Sequence, residues 1–254
     1  EAFKAIDTAI ANTRKNIKNA QELFDSELNR VFTEKGEGWE EKRLGDVCTK
    51  IQDGAHRSPK VVFNEPGPDR YLYLTSKNIR TGYMNLDNVK YCSSDFHKTI
   101  YNRCDPKLGD VLLTKDGANT GNVTVNTLQE PFSLLSSVCL LRPNRDFLNS
   151  QFLLYYLQSR DGFKQITGQM TGTAIKRIIL KTIKASLIPL PDLQTQELYV
   201  GIFDNLSHKR RLLEDNYEQK LSSLSELRQS ILQKAFTGEL TWDTADEVLK
   251  GEGV

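Results

Sequence analysis

Two long segments that are nearly free of glycine and proline constrain this sequence more than any other feature. Residues 2–32 contain neither residue type, and residues 196–236 contain only Gly201. The apolar residues of both segments recur at three-, four- and seven-residue steps, which is the spacing of one face of an α-helix. The second segment has 41 residues, and a helix of that length is roughly 60 Å long. The sequence therefore predicts a long amphipathic helix on either side of the middle of the chain.

The second predicted helix also carries a heptad pattern. Phe203, Tyr217, Leu224 and Ile231 share one seven-residue register, and Leu206, Leu213 and Leu227 share the complementary one. Two apolar registers of this kind form the a/d seam of a coiled coil, with Arg210 and Lys220 as polar interruptions. The two predicted helices also match each other as a degenerate repeat, one heptad longer in the second copy. This repeat favours a fragment or a shortened protein.

The middle of the chain predicts a mixed α+β globular domain. Short runs rich in β-branched and aromatic residues alternate with turn residues, which is typical of strands and loops. One helix is predicted over NSQFLLYYLQSRDGFKQI, with Asn149 or Ser150 as its N-cap. The predicted organisation is a first helix over residues 1–38, the domain over 39–195, a second helix over 196–240 and a flexible acidic tail over 241–254.

The stretch LGDVLLTKDGANTGNV suggests a phosphate-binding loop at first sight, because Gly117 and Gly121 lie four residues apart. That spacing fits neither the P-loop nor the dinucleotide-binding motif. A strand, a glycine-containing turn and a second strand describe the stretch better. The three histidines have no cysteine or histidine partners at ligand spacing. The sequence therefore predicts no catalytic residue, no metal site and no cofactor.

The cysteines and the hydropathy indicate a cytoplasmic protein. Cys48, Cys92, Cys104 and Cys139 are scattered along the chain, as reduced thiols are, rather than arranged as a disulfide framework. No apolar run approaches the roughly 20 residues that cross a bilayer. We therefore expect no membrane association.

The charge balance places any polyanion partner at the middle domain. The net charge is only +1, but residues 39–195 carry 21 basic and 15 acidic side chains. Residues 1–38 carry 6 basic and 7 acidic side chains, and residues 196–254 carry 7 and 11. The balance of +6 in the middle and the negative ends favour a nucleic-acid partner for the domain.

Polar, glycine-containing loops of the middle domain offer side chains that hydrogen-bond to phosphates and base edges. Lys115 is the strongest candidate for a phosphate contact. The same loops also suit an ordinary α+β domain that binds no DNA. The candidate DNA-binding residues are Arg57, Lys60, Lys77, Asn78, Lys115, Asn119, Thr120, Gln169, Thr171, Lys176 and Arg177.

Four stretches resemble one protein family. The residues running from AFKAIDTAIANTRKN into GWEEKRLGDV are similar to its central conserved helix and the start of a target-recognition domain. LGDVLLTKDGANTGNV, IPLPDLQTQELYVGIFDNL and LSSLSELRQSILQKAFTGEL resemble later parts of the same family. Together they cover nearly the whole chain. The chain thus resembles the specificity (S) subunit of type I restriction-modification enzymes.

The resemblance implies a non-catalytic subunit that reads one half of a bipartite double-stranded DNA target with each recognition domain. Its two conserved helices are expected to pair as an antiparallel coiled coil that sets the spacing of the half-sites. Methyltransferase (M) subunits dock on the helices, and motor-nuclease (R) subunits join the complex. The residues expected to pair are Ile6, Ile10, Ile17 and Leu28 with Leu206, Leu213, Tyr217, Leu224 and Ile231.

The chain departs from the family in having one recognition domain where a full S subunit has two. It is therefore expected to be the C-terminal half of a subunit, or a half-subunit that pairs with a second copy of itself on a palindromic target. Two alternatives remain open on the sequence. One is a coiled-coil scaffold whose middle domain binds protein, and the other is the recognition half of a split methyltransferase-nuclease.

Overall fold

The computed structural model describes residues 2–168 and 177–237. The α+β class with a long helix at each end is confirmed. In chain order the elements are α1 Ala2–Glu34, β1 Glu40–Arg43, α2 Leu44–Val47, β2 Cys48–Asp53, β3 Val62–Phe63, β4 Arg70–Leu74, β5 Ile79–Arg80, β6 Tyr83–Met84, β7 Lys90–Ser93, α3 Ser94–Tyr101, β8 Val111–Thr114, β9 Val123–Val125, β10 Ser133–Leu134, β11 Val138–Pro143, α4 Ser150–Gln158, α5 Arg160–Thr167, α6 Leu180–Ala185, β12 Leu187–Leu190 and α7 Leu193–Phe236.

The ends of the long helices follow from local chemistry. α1 ends where Lys35 and Gly38 adopt positive φ angles of 49° and 80°, a conformation that cannot continue a right-handed helix. α7 begins three residues before its predicted start, because the Asp192 carboxylate accepts a hydrogen bond of 2.7 Å from the Thr195 N–H. This contact caps the first turn of α7. The predicted tail over 241–254 lies outside the described residues.

The chain folds as two compact units. Residues 2–27 and 204–237 belong to a helical unit, and Leu28–Phe203 forms a mixed α+β unit. The mixed unit is wider than the domain predicted over 39–195. Its additional residues are held by aromatic packing, since the Phe32 ring lies 5.3 Å from that of Phe152 and 6.0 Å from that of Phe203. Leu28, predicted as a helix-pairing residue, belongs to the mixed unit and is buried.

Within the helical unit α1 and α7 run antiparallel. Arg228 Nε lies 3.3 Å from Asp7 Oδ1, and the Arg210 guanidinium lies 4.7 Å from the centre of the Phe24 ring. Both contacts join an early residue of one helix to a late residue of the other. Of the predicted pairing residues in this unit, Ile6 and Ile231 are buried. Those that are half-buried are Ile10, Ile17, Leu206, Tyr217 and Leu224.

The seam of α7 departs from the predicted heptads in its middle. Leu213 is 45% exposed, so its assignment to the seam is wrong. Glu214 and Leu221 are half-buried instead. Leu213 faces outward, and Glu214 lies inward, where it forms an ion pair of 3.6 Å with Arg210. The departure is local, because Leu227, which shares the register of Leu213, is half-buried as predicted.

Two four-stranded sheets form the centre of the mixed unit. The first is antiparallel in the order β2-β11-β8-β9, and the second has the order β10-β4-β7-β3 with β10 parallel to β4. β8 is buried along its whole length, as expected of a strand covered on both faces. β1 pairs antiparallel with β12. The two sheets supply the rigid scaffold from which the loops project.

The single helix predicted over residues 149–166 is instead two helices, α4 and α5. Asn149 caps α4 as predicted, accepting hydrogen bonds from the Gln151 and Phe152 N–H groups. The helix breaks at Ser159, whose extended backbone and side-chain hydroxyl cap the start of α5 through the Gly162 N–H. A β-carbon at Gly162 would collide with the Tyr156 carbonyl. The close approach of these two helices therefore requires glycine.

His97 is expected to make the stability of the mixed unit depend on pH. Its ring stacks on Tyr71 at 3.8 Å, its Nδ1 lies 3.0 Å from Ser133 Oγ, and burial lowers its pKa below 6.5. The unfolded chain binds the proton more readily, so the free energy of unfolding should fall as the pH drops below about 6.5. Urea unfolding between pH 7 and pH 5 should show a flatter pH dependence for His97→Gln. The exposed His208 serves as control, and profiles with the same slope for the wild type and His97→Gln would refute this role.

Candidate nucleic-acid interface

Two loops that are far apart in the sequence are joined to each other by main-chain hydrogen bonds. The Ala55 N–H donates to the Leu134 carbonyl at 2.7 Å, and the Ser136 N–H donates to the Ala55 carbonyl at 2.8 Å. A β-carbon on Gly54 would overlap the Leu134 carbonyl, so this approach needs glycine. Loop 54–60 and loop 135–137 therefore lie side by side at one end of the sheets.

Two further loops reach the same place. The Ser76 N–H donates to Ser137 Oγ at 3.2 Å, and the Lys115 N–H donates to the Ser137 carbonyl at 2.8 Å. Asn119 Nδ2 donates to the Ser76 carbonyl at 3.1 Å. Arg177 pairs with Asp116 in an isolated antiparallel bridge. We call loops 54–60, 75–81, 115–122 and 135–137, together with residues 177–179, the loop surface.

The stretch LGDVLLTKDGANTGNV is a β-hairpin, as predicted. β8 and β9 pair antiparallel, and the turn between them contains Gly117 and Gly121 at φ angles of 87° and 94°. The Thr120 hydroxyl donates to the Gly117 carbonyl at 2.6 Å. The side chains of Thr120 and Asn119 are thus both engaged within the loop surface. The two glycines provide the left-handed backbone of the turn.

Lys115 has a different position from the one expected of a phosphate contact. Its side chain is only 7% exposed, and its Nζ lies 3.2 Å from Asp53 Oδ2. Asp53, 3% exposed, also lies 3.5 Å from Arg103 Nη1 and 3.4 Å from His56 Nε2. A buried ammonium paired in this way cannot reach a phosphate at the surface. The structure therefore contradicts the assignment of Lys115 to phosphate binding and makes it part of a buried ion cluster.

Some of the other predicted DNA-binding residues are buried and others are exposed. Asn78 is buried, and its side chain accepts from the Thr75 N–H at 3.0 Å and donates to the Asn85 carbonyl at 3.1 Å. The Asn78 amide is therefore already hydrogen-bonded within its own loop. Because it is buried and engaged in this way, it is not available for a hydrogen bond to DNA. Gln169, Thr171 and Lys176 lie outside the described residues. The predicted residues that are exposed on the loop surface are Arg57, Lys60, Lys77 and Arg177.

Sequence reasoning missed Arg103 and His56. Arg103 follows α3, a segment without glycine or a cluster of basic residues, so no local signal marked it. The fold brings it to Asp53, and its Nη2 also donates to the Gly54 carbonyl. The loop surface, all of whose residues are described, contains one acidic residue, Asp116, and its side chain is half-buried. The exposed charge of the loop surface is therefore positive.

The buried thiols and the other titratable groups show no reactive arrangement in the described part of the chain. All four cysteines are free, and burial raises the pKa of Cys48 and Cys104 to about 12. A thiol with such a pKa is not a nucleophile at neutral pH. Within residues 2–168 and 177–237, no three metal-binding side chains lie close enough to hold an ion. No helix in those ranges is both long and apolar enough to cross a membrane.

Convergent loops with exposed cations on a rigid α+β scaffold define a module suited to binding a polyanion. Residues 36–222 match the family described as Type I restriction modification DNA specificity domain. The match spans more than half of the chain, so the chain belongs to this family. The sequence-based assignment to a specificity subunit, which is the non-catalytic subunit of these enzymes, is confirmed.

Curated relatives agree with this family. The chain is 26% identical over 204 residues to the type I restriction enzyme MjaVIII specificity subunit of Methanocaldococcus jannaschii, covering 79% of this chain and 42% of that subunit. It is 26% identical over 164 residues to the EcoBI specificity subunit of Escherichia coli, covering 65% and 34%. The chain thus spans less than half the length of these two relatives.

Solved structures share the fold. A chain in a structure of the type I R-M system matches with a TM-score of 0.77 and 23% identity, over 94% of this chain and 57% of that one. The HsdS subunit from Thermoanaerobacter tengcongensis matches with a TM-score of 0.63 and 22% identity, over 93% and 55%. The likeness extends over nearly all of this chain.

Proposed function

We propose that this chain recognises double-stranded DNA through the loop surface of its mixed unit and reads one half of a bipartite target. One observation carries the proposal: loops from distant parts of the sequence converge and expose Arg57, Lys60, Lys77 and Arg177. Arginine reads guanine edges and both residue types hold phosphates. A set of cations fixed on short, mutually hydrogen-bonded loops is suited to both tasks.

The helical unit gives the proposed partners a place to bind. We propose that α1 and α7 dock methyltransferase subunits, that motor-nuclease subunits join this assembly, and that the complex acts in the cytoplasm. The chain itself would need no cofactor. Pairing with a second copy of the chain would supply the second recognition domain. A palindromic target would then follow from the twofold symmetry.

Removal of exposed cations tests the DNA contact. Methylation mapping of the source strain with and without this gene would first identify the target as a lost bipartite motif. Binding to that duplex is then measured with the methyltransferase subunit present. Arg57→Ala combined with Lys77→Ala is expected to weaken binding by about tenfold or more, because the loss of one arginine contact to a base alone costs about 1–3 kcal/mol. The slope of log affinity against log salt should also become shallower, by about 0.9 for each lost phosphate contact.

A matched double variant controls for the loss of charge as such. Lys42→Ala with Lys107→Ala removes two exposed positive charges of the mixed unit that lie outside the loop surface and should leave the salt slope unchanged. If both double variants weaken binding equally, the loop surface is not the DNA-binding site. If the chain binds the methyltransferase subunit but shows no preference for any duplex, the scaffold hypothesis is favoured.

A further inference from the structure

A groove beside the loop surface is lined by apolar and basic side chains. It encloses ≈ 720 Å³ between loop 54–60, β3 and α3. Its apolar lining comes from Pro59, Val61, Phe63, Phe96 and Ile100. Val61 is 56% exposed, which places a branched apolar side chain directly at the surface. We call this cavity the aromatic groove.

The charge of the aromatic groove is of one sign. Its cations are those of Arg57, Lys60 and Arg103, and no aspartate or glutamate is among its lining residues, all of which are described. Arg103 is paired with the buried Asp53, whereas Arg57 and Lys60 have no ion-pair partner in the described part of the chain. An anionic ligand would supply the missing counter-charge. The groove therefore fits a ligand that combines a negative group with a flat or apolar body.

The cations differ in how firmly they are held. Arg103 is fixed by Asp53 and by the Gly54 carbonyl. Arg57 and Lys60 form no ion pair with the described part of the chain. One preorganised guanidinium and two free cations suit a phosphate, which guanidinium groups bind through two parallel hydrogen bonds. The groove lies against the loop surface, because His56 and Arg57 belong to both.

The phosphate backbone of an intact duplex does not account for this composition. Backbone contacts need cations and N–H donors at a surface, and an apolar floor adds nothing to them. A base that has left the stack needs an apolar wall and an aromatic side chain, and its phosphate needs a cation beside that wall. We propose that the aromatic groove binds one unstacked nucleotide of a DNA strand, its base against Phe63, Phe96 and Val61 and its phosphate on Arg57, Lys60 and Arg103.

This proposal rests on the proposed DNA-binding function, and one pair of probes separates the two. With the methyltransferase subunit present, the full chain is titrated with the fluorescein-labelled target duplex and with the same duplex carrying one extrahelical 2-aminopurine. The extrahelical duplex should bind about tenfold more tightly, since stacking of one base on an aromatic side chain is of that order. The 2-aminopurine fluorescence should be quenched on binding.

Two single variants locate the effect. Val61→Asn keeps the charge and changes an exposed side chain, so the protein should fold, and it should reduce the preference for the extrahelical duplex to about twofold or less. Lys77→Ala removes a cation outside the groove and should weaken both duplexes equally.

The outcomes are distinct. Equal affinity of the wild type for the two duplexes overturns the aromatic groove as a nucleotide site and leaves the proposed function standing. A preference that survives Val61→Asn also overturns it. Failure to bind either duplex overturns both the groove and the proposed function.

Discussion

Replacing Asp53 by alanine is expected to lower the free energy of unfolding of the mixed unit by about 3–5 kcal/mol. The Asp53 carboxylate is the ion-pair partner of Lys115, at 3.2 Å. Lys115 is buried in the sheet end and has no other carboxylate partner in the described structure. Its ammonium group would therefore lose its counter-charge while staying out of water, and the cost of burying an unpaired charge is large.

Urea unfolding of four proteins would measure this effect. The set comprises the wild type, Asp53→Ala, Lys115→Met and the double variant. Removing both charges should restore much of the stability lost in Asp53→Ala, because the double variant buries no unpaired ammonium group. Asp46→Ala, an exposed acid of α2, should change stability by less than about 0.5 kcal/mol. Strictly additive losses in the double variant would show that the ion pair does not couple the two residues.

Replacing Arg142 by alanine is expected to destabilise the same unit by a similar amount, about 3–5 kcal/mol. Arg142 Nε and Nη2 both donate to the Asp110 carboxylate at 2.9 Å, and Nη2 also donates to the Asp105 carbonyl at 2.6 Å. Asp110 is 2% exposed. Without the guanidinium, its carboxylate would retain one hydrogen bond within the described residues, from the Lys107 N–H at 2.8 Å.

Arg145 offers a matched control for this prediction. It lies three residues further along the chain, is exposed, and donates one longer hydrogen bond of 3.3 Å to the Leu108 carbonyl. Arg145→Ala should therefore cost less than about 0.5 kcal/mol. Thermal and urea unfolding of Arg142→Ala and Arg145→Ala side by side would measure the difference. Equal stability of the two variants would mean that Asp110 gains its stabilisation from groups other than Arg142.

The long helices and the mixed domain could be predicted because their signals are local. The near-absence of glycine and proline together with apolar periodicity is enough to predict α1 and α7. The residues in the middle of the seam could not be read in the same way, because a heptad count assigns apolar residues alone. It predicts Leu213 in the seam, whereas the half-buried residue there is Glu214, which is paired with Arg210.

The candidate site was predictable only in part, for a related reason. Glycine-containing turns and basic residues marked Arg57, Lys77 and Arg177 as loop cations, and all three are exposed. The role of Lys115 depends on Asp53, which belongs to a different strand of the sheet. An ion pair between residues of distant strands cannot be predicted from the local sequence. Arg103 was missed for the same reason, since its partner is also Asp53.

The pairing of β1 with β12 brings together the two ends of the segment that forms the sheets. Glu40 lies opposite Leu190 and Arg43 opposite Leu187, so the chain leaves the sheets beside the point at which it entered them. Domains whose two chain ends are adjacent accept replacement of the intervening sequence more readily than others. Substituting another chain's residues for those between Arg43 and Leu187 would alter the loop surface and the aromatic groove together, and both long helices would keep their own sequences. We therefore expect the segment between the two strands of this short sheet to be exchangeable as one unit.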